Sequence, residues 1–275
     1  MIFPPEFNRP AIAEILFPER EGFADQEISQ LLMIDENHPA QFFQAEESVA
    51  TIILFPAPNA DLYDLEELAD GLLQQQISLL IIPNSSWNKE SSSTLSLQSY
   101  TDEGATLFAK VSALLKQENI DQPLFIAGHG LGILPAITAV LRYPISFKGL
   151  LLEGPVCDLP AYLDKAGAAQ QSSTIDNAIY FLELEMAMQT ISRPTMIFHG
   201  AKDSISTVTQ AEKLQAASCA RKKQFFVIPG AETPSEAPLC HWAGALYFST
   251  IRTFIDTICG NNSWRQRRRA RKQQQ

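Results

Sequence analysis

The 275-residue chain contains no run of about 18 apolar residues, so nothing in it reads as a membrane-spanning helix. Its start, Met1-Ile2-Phe3-Pro4-Pro5-Glu6, lacks the basic residues and apolar stretch of a secretory leader, and a cytoplasmic location is the expectation. Cysteine is scarce. Cys157, Cys219, Cys240 and Cys259 stand far apart without a C-x-x-C pair, which argues against a disulfide framework and against metal ligation. They read as free thiols, and no metal or cofactor is expected. Basic residues are also few, 21 against 31 acidic ones, for a net charge of −10. Six of them lie between Arg265 and Lys272, so the remainder of the chain stands at −16. A body this acidic repels nucleic acid. The basic tail offers weak contact to RNA, acidic lipid or an acidic protein face, or serves as a disordered solubilising end.

What is present in quantity is apolar residues, 45% of the chain, enough for a sizeable core. Their order is informative around Ile126-Ala-Gly-His-Gly-Leu-Gly132. The frame is G-x-S-x-G, in which a strand turns sharply into a helix and lifts a serine nucleophile above a sheet edge. Here the centre is Gly130, which has no hydroxyl and forms no acyl-enzyme. The run Pro123–Ala127 before it reads as a buried strand. Leu131, Leu134, Ile137, Val140 and Leu141 follow at helical spacing up to Pro144, which ends the helix.

The rest of the chain alternates. Strands are expected at 28–34, 40–45, 49–55, 77–82, 147–152, 195–198 and 225–228, with helices around 62–72, 105–115, 208–217 and 247–258. A Ser/Asn-rich loop runs through Ser99, and no internal repeat is visible. Residues 1–27, rich in proline, are expected to wrap the surface; 28–260 form one domain; 261–275 are the tail. Residues 158–192 read as helical without a strand, as an inserted cap would. Such alternation implies an α/β fold with a mostly parallel, doubly wound sheet, whose ligands bind at the carboxyl ends of the strands. Pro56, Pro83, Gly130, Glu153, Asp203 and the loop after Ile228 converge there.

Three stretches resemble the α/β-hydrolase superfamily, specifically its serine esterase and lysophospholipase-like members. Gly128-His-Gly-Leu-Gly-Ile-Leu-Pro-Ala-Ile137 is similar to its G-x-S-L-G-x-x-P-A-I. Phe147-Lys-Gly-Leu-Leu-Leu-Glu-Gly154 matches the strand after the elbow helix, and Pro194-Thr-Met-Ile-Phe-His-Gly-Ala-Lys-Asp203 matches its P-T-L-x-x-H-G-x-x-D. The resemblance covers about residues 28–258 and implies that fold with a short helical cap; the triad acid falls on Asp203. The chain departs from the family elsewhere. Where relatives carry His-Gly and an oxyanion-hole amide, it reads Phe55-Pro-Ala-Pro-Asn-Ala60; Pro56 and Pro58 cannot donate, leaving Asn59 or Ala60. Thr233 occupies the direct slot of the triad histidine, and His241 serves only if the loop folds back. Otherwise His241 and Trp242 open and anchor the last helix. His129 and Leu131 flank the nucleophile slot, and with Pro56, Asn59 and Glu153 they complete the candidate pocket. His129 is read as shaping the elbow, His199 as a local packing group, and His38 as an exposed turn residue. Asp203 also fits a loop-holding role through backbone donors.

Two functional classes follow. One is a pseudoenzyme that binds a small acyl or aromatic ligand or a protein partner. The other is an active hydrolase or cofactor-free enzyme in which a His241/Asp203 pair works with water. Ser85 and Ser86 offer a weaker relocated nucleophile. With the serine absent, serine-hydrolase activity is not expected.

Overall fold

The computed structural model describes residues 1–17, 29–36, 38–83, 95–232 and 238–260. The expectations for Ser85, Ser86, Thr233 and the tail at 261–275 fall outside the described residues. Eight strands form one sheet: β1 (Gln30–Asp35), β2 (His38–Phe43), β3 (Ala50–Phe55), β4 (Ile77–Ile81), β5 (Leu124–His129), β6 (Gly149–Glu153), β7 (Thr195–Gly200) and β8 (Lys223–Ile228). Their order is β1-β2-β4-β3-β5-β6-β7-β8. β2 pairs antiparallel with β1 and β4, and every other pairing is parallel. The expected mostly parallel, doubly wound sheet is therefore present.

The central strands are apolar at consecutive positions because both faces of the sheet are covered. Along β5, Phe125 faces one core and Ile126 the other; along β6, Leu151 faces the first, and Leu150 and Leu152 the second. Helices α2 (Leu62–Leu73) and α10 (Ala245–Cys259) cover the first face. The second is covered by α3 (Leu97–Gln117), α4 (Ile133–Arg142), α5 (Leu159–Lys165) and α7 (Asn177–Gln189). Short α6 (Ala169–Ser172), α8 (Val208–Ala217) and short α9 (Cys240–Ala243) complete the set that follows the N-terminal α1 (Pro10–Leu16). Among the described residues no helix is long and apolar enough to cross a membrane.

Side-chain caps set several helix starts. Asp61 accepts from Tyr63 N at 2.8 Å, and Thr207 and Gln210 form a capping box at α8. Ser96 and Ser99 form another at α3, so that helix begins at Leu97, several residues before the apolar periodicity becomes visible in the sequence. A larger difference concerns the N-terminus. Residues 1–17, expected to wrap the surface, form a 3-10 turn (Pro5–Asn8) and α1, and bury Phe3, Phe7, Ile12, Leu16 and Phe17.

His38 is not an exposed turn residue. It sits half-buried at the start of β2, with Nδ1 2.6 Å from Asp35 Oδ1 and Nε2 2.9 Å from Glu103 Oε1 on α3. Lys110 Nζ meets the other Asp35 oxygen at 2.6 Å. The Glu103 hydrogen bond, and then the Asp35 bond and both negative charges, raise the imidazole pKa against an opposing effect of burial. A raised folded-state pKa stabilises the fold fully below the unfolded value, near 6.5, and this contribution disappears as pH rises through the folded value. His38→Gln should therefore lower the melting temperature most at pH 5–6 and least near pH 9, read by thermal denaturation of both proteins across that range.

Candidate active site

The elbow backbone is intact. β5 ends at His129 in an extended conformation, Gly130 takes φ +57°, and a single 3-10 turn leads into α4. This left-handed conformation is the one glycine adopts without strain. The flanking glycines are required by close approach. A Cβ on Gly132 would lie 2.1 Å from the carbonyl oxygen of Phe55, and one on Gly128 would lie 2.6 Å from that of Gly132. The elbow is thus pressed against the end of β3, with Gly130 and Leu131 buried and no hydroxyl at its apex.

Part of the loop after β3 has no amide to offer an oxyanion. Pro56 and Pro58 have no N–H, and the Ala60 amide donates to Ala57 O at 3.0 Å. Asn59 Oδ1 accepts from the Tyr162 hydroxyl at 3.3 Å, and Pro56 O accepts from the Tyr100 hydroxyl at 3.4 Å. The space left between Pro56, Ile82, Tyr100, Glu103 and Pro135 is a cavity of about 10 Å³, room for a single water.

Asp203 and His241, the candidate acid and base, are each engaged elsewhere. Asp203 Oδ1 accepts from Ile205 N at 2.7 Å and Ser206 N at 2.9 Å, closing the turn after β7. Burial raises its pKa although both amides favour the charged form. His199 is fully buried, with Nε2 3.0 Å from Ser206 O, as the local-packing reading holds; burial lowers its pKa. His241 sits on α9, its Nε2 3.0 Å from Glu67 Oε2 and 3.7 Å from Asp64 Oδ1. Among the described residues no hydrogen bond or ion pair joins it to Asp203. The histidine meets α2 instead, so the pairing that the second functional reading requires is not made. Asp64 and Glu67 were not singled out in the sequence. Their i, i+3 spacing at the start of α2 is the signal that two carboxylates share a helix face there.

A second group missed in the sequence surrounds Glu153. This residue is in register with His129 across β5 and β6, on the face covered by α2 and α10. One carboxylate oxygen accepts from Leu239 N and the other from the Tyr247 hydroxyl. Glu153 is 7% exposed and Tyr247 4%, so these bonds are made away from water. Burial, with the Glu153 charge, pushes the Tyr247 phenol well above its usual pKa and holds it protonated as the donor. Beside them lies an otherwise apolar cavity of about 30 Å³, lined by Leu54, Leu68, Leu151 and Phe198. Burial also pushes the Cys157 and Cys240 thiols upward, so neither is a ready thiolate nucleophile.

Solved structures with this arrangement are hydrolases by name. A soluble variant of monoglyceride lipase from Saccharomyces cerevisiae superimposes with a TM-score of 0.62 at 14% identity, covering 88% of this chain and 98% of that one. An esterase from Pyrococcus furiosus gives 0.64 at 14%, with the same coverage. A monoacylglycerol lipase from Paleococcus ferrophilus gives 0.58 at 14%, over 83% and 99%. No family model matches the chain, and no curated protein matches it in sequence. At 14% identity the likeness is one of fold.

Charge-assisted hydrogen bonds contribute roughly 1.5–3 kcal/mol each. Replacing the carboxylate in Glu153→Gln presents an amide N–H₂ to one of two donors. It should lower the unfolding free energy by about 2 kcal/mol, measured by urea denaturation; an unchanged midpoint would count against the bridge.

Proposed function

On the α/β-hydrolase fold that the chain adopts, we propose a non-catalytic protein: a pseudo-hydrolase whose former reaction cleft binds rather than cleaves. The observation that carries this reading is the state of the elbow. Its backbone keeps the φ +57° apex and both close-packed glycines, yet the apex is Gly130. Acyl transfer at this position needs a nucleophilic side chain, and glycine has none on an otherwise complete turn.

The neighbouring groups support the same reading. Triad members act as a unit, so a lone acid or base contributes little once the nucleophile is absent. Asp203 holds its own loop, and His241 is paired with α2. The Ala60 amide is bonded within its loop. The cavity beside Pro56 is lined mainly by apolar and aromatic side chains, Phe55, Ile82, Tyr100 and Leu107 among them, with the carboxylate of Glu103 at its side, which favours an acyl or aromatic ligand over an anionic one.

Restoring the hydroxyl tests the reading directly. Gly130→Ser should fold, lose about 1 kcal/mol of stability because a non-glycine residue enters the left-handed region, and turn over p-nitrophenyl butyrate no faster than the parent chain. Robust turnover, or labelling of Ser at this position by a fluorophosphonate, would overturn the proposal, since either requires a working base and oxyanion hole.

A further inference from the structure

The cleft already has an occupant. We propose that residues 1–17 are an intramolecular plug seated in the apolar site, and that an acyl or aromatic ligand binds by displacing them. This rests on the binding reading above.

The seat is identified by the groups the segment touches. Phe3 and Phe7 stack on Tyr180, with ring centroids 5.9 and 6.4 Å away, and Phe17 meets Tyr100 at 4.7 Å. Each of these tyrosines is tied to a loop at the carboxyl edge of the sheet. The Tyr100 hydroxyl bonds Pro56 O just after β3, and the Tyr180 hydroxyl bonds Val156 O at 2.9 Å just after β6. In the sheet β5 lies between β3 and β6. The segment thus packs on two tyrosines anchored to the loops on either side of the end of β5, where Gly130 stands. Beside Pro56 and Tyr100 only a cavity of about 10 Å³ is open, too little for any acyl group.

The segment has the chemistry of a ligand for this site. It presents Phe3, Phe7, Ile12, Leu16 and Phe17, each at most 7% exposed, to aromatic and aliphatic walls. Its attachment is a small polar clasp. Phe3 N donates to Gln98 Oε1 at 2.8 Å, Gln98 N donates to Asn8 Oδ1 at 2.9 Å, Gln98 Nε2 donates to Met1 O at 3.3 Å, and Ile2 N donates to Glu183 Oε2 at 3.0 Å. None of its residues joins the sheet. Its displacement would therefore break no strand pairing.

The test locks the plug in the full-length chain. Asn8→Cys with Gln98→Cys, in a background of Cys219→Ser and Cys259→Ser, allows a disulfide between the segment and α3. The neutral dye N-phenyl-1-naphthylamine is titrated by fluorescence into the oxidised and reduced forms. The reduced form should bind saturably, and oxidation should weaken binding at least tenfold. A second variant, Phe3→Ser with Phe7→Ser, loosens the seat and should bind the dye at least tenfold tighter than the parent, its fold checked by circular dichroism. Equal binding by oxidised and reduced forms would overturn the plug while leaving a binding cleft elsewhere. No binding by any form, the loosened and folded variant included, would overturn the cleft-binding reading and the plug with it.

Discussion

The contact of the elbow with the end of β3 is the constraint on which the rest of the molecule turns. With 2.1 Å between a Cβ at position 132 and the Phe55 carbonyl, no side chain fits there. Only a glycine-framed turn lets α4 start directly above the pairing of β3 with β5. That placement fixes the centre of the sheet, because β5 pairs on its other side with β6, and the loops after β3, β5 and β6 then open on one edge. Every group considered for function lies along that edge or beside it. The turn is a folding requirement first, which explains how it persists in a chain whose apex residue carries no chemistry.

Polar residues around the edge obey a different rule. Hydrogen bonds offset the cost of burying a carboxylate, and Asp203 and Glu153 both have them. Asp203 gathers two amides of its own turn, and Glu153 ties the Leu239 amide and the Tyr247 hydroxyl to the sheet. In this way Glu153 joins the segment following β8 to α10 and to the end of β6. His241 draws its partners from α2 rather than from the β7 loop, and links α9 to the same face. Groups placed where a reaction would need them thus hold the loops together.

Much of the scaffold is legible in the text of the chain. Strands β3 to β7 read as short apolar runs because both faces are covered, and α8 matches its expected limits because Thr207 and Gln210 mark its start. The departures share one physical cause, contact between residues remote in sequence. The prolines of residues 1–17 suggest an irregular surface chain, but Phe3 and Phe7 gain their burial from Tyr180, far along the sequence. His38 looks like a turn residue beside Pro39 until Glu103 of α3 is brought to its ring.

The same division holds for the candidate site. By itself the sequence determined the fold class, the elbow and the absence of a hydroxyl at its apex, because strand, turn and helix are local and glycine at position 130 has no side chain in any conformation. It also set Asp203 at the end of β7, since that turn is short. Only the tertiary structure decided that His241 faces Asp64 and Glu67, that Glu153 bridges Leu239 and Tyr247, and that residues 1–17 pack on Tyr100 and Tyr180. Those outcomes depend on how helices dock on a sheet, through packing and hydrogen bonds between segments up to about 180 residues apart, as Ile2 and Glu183 are. No spacing along the chain encodes them.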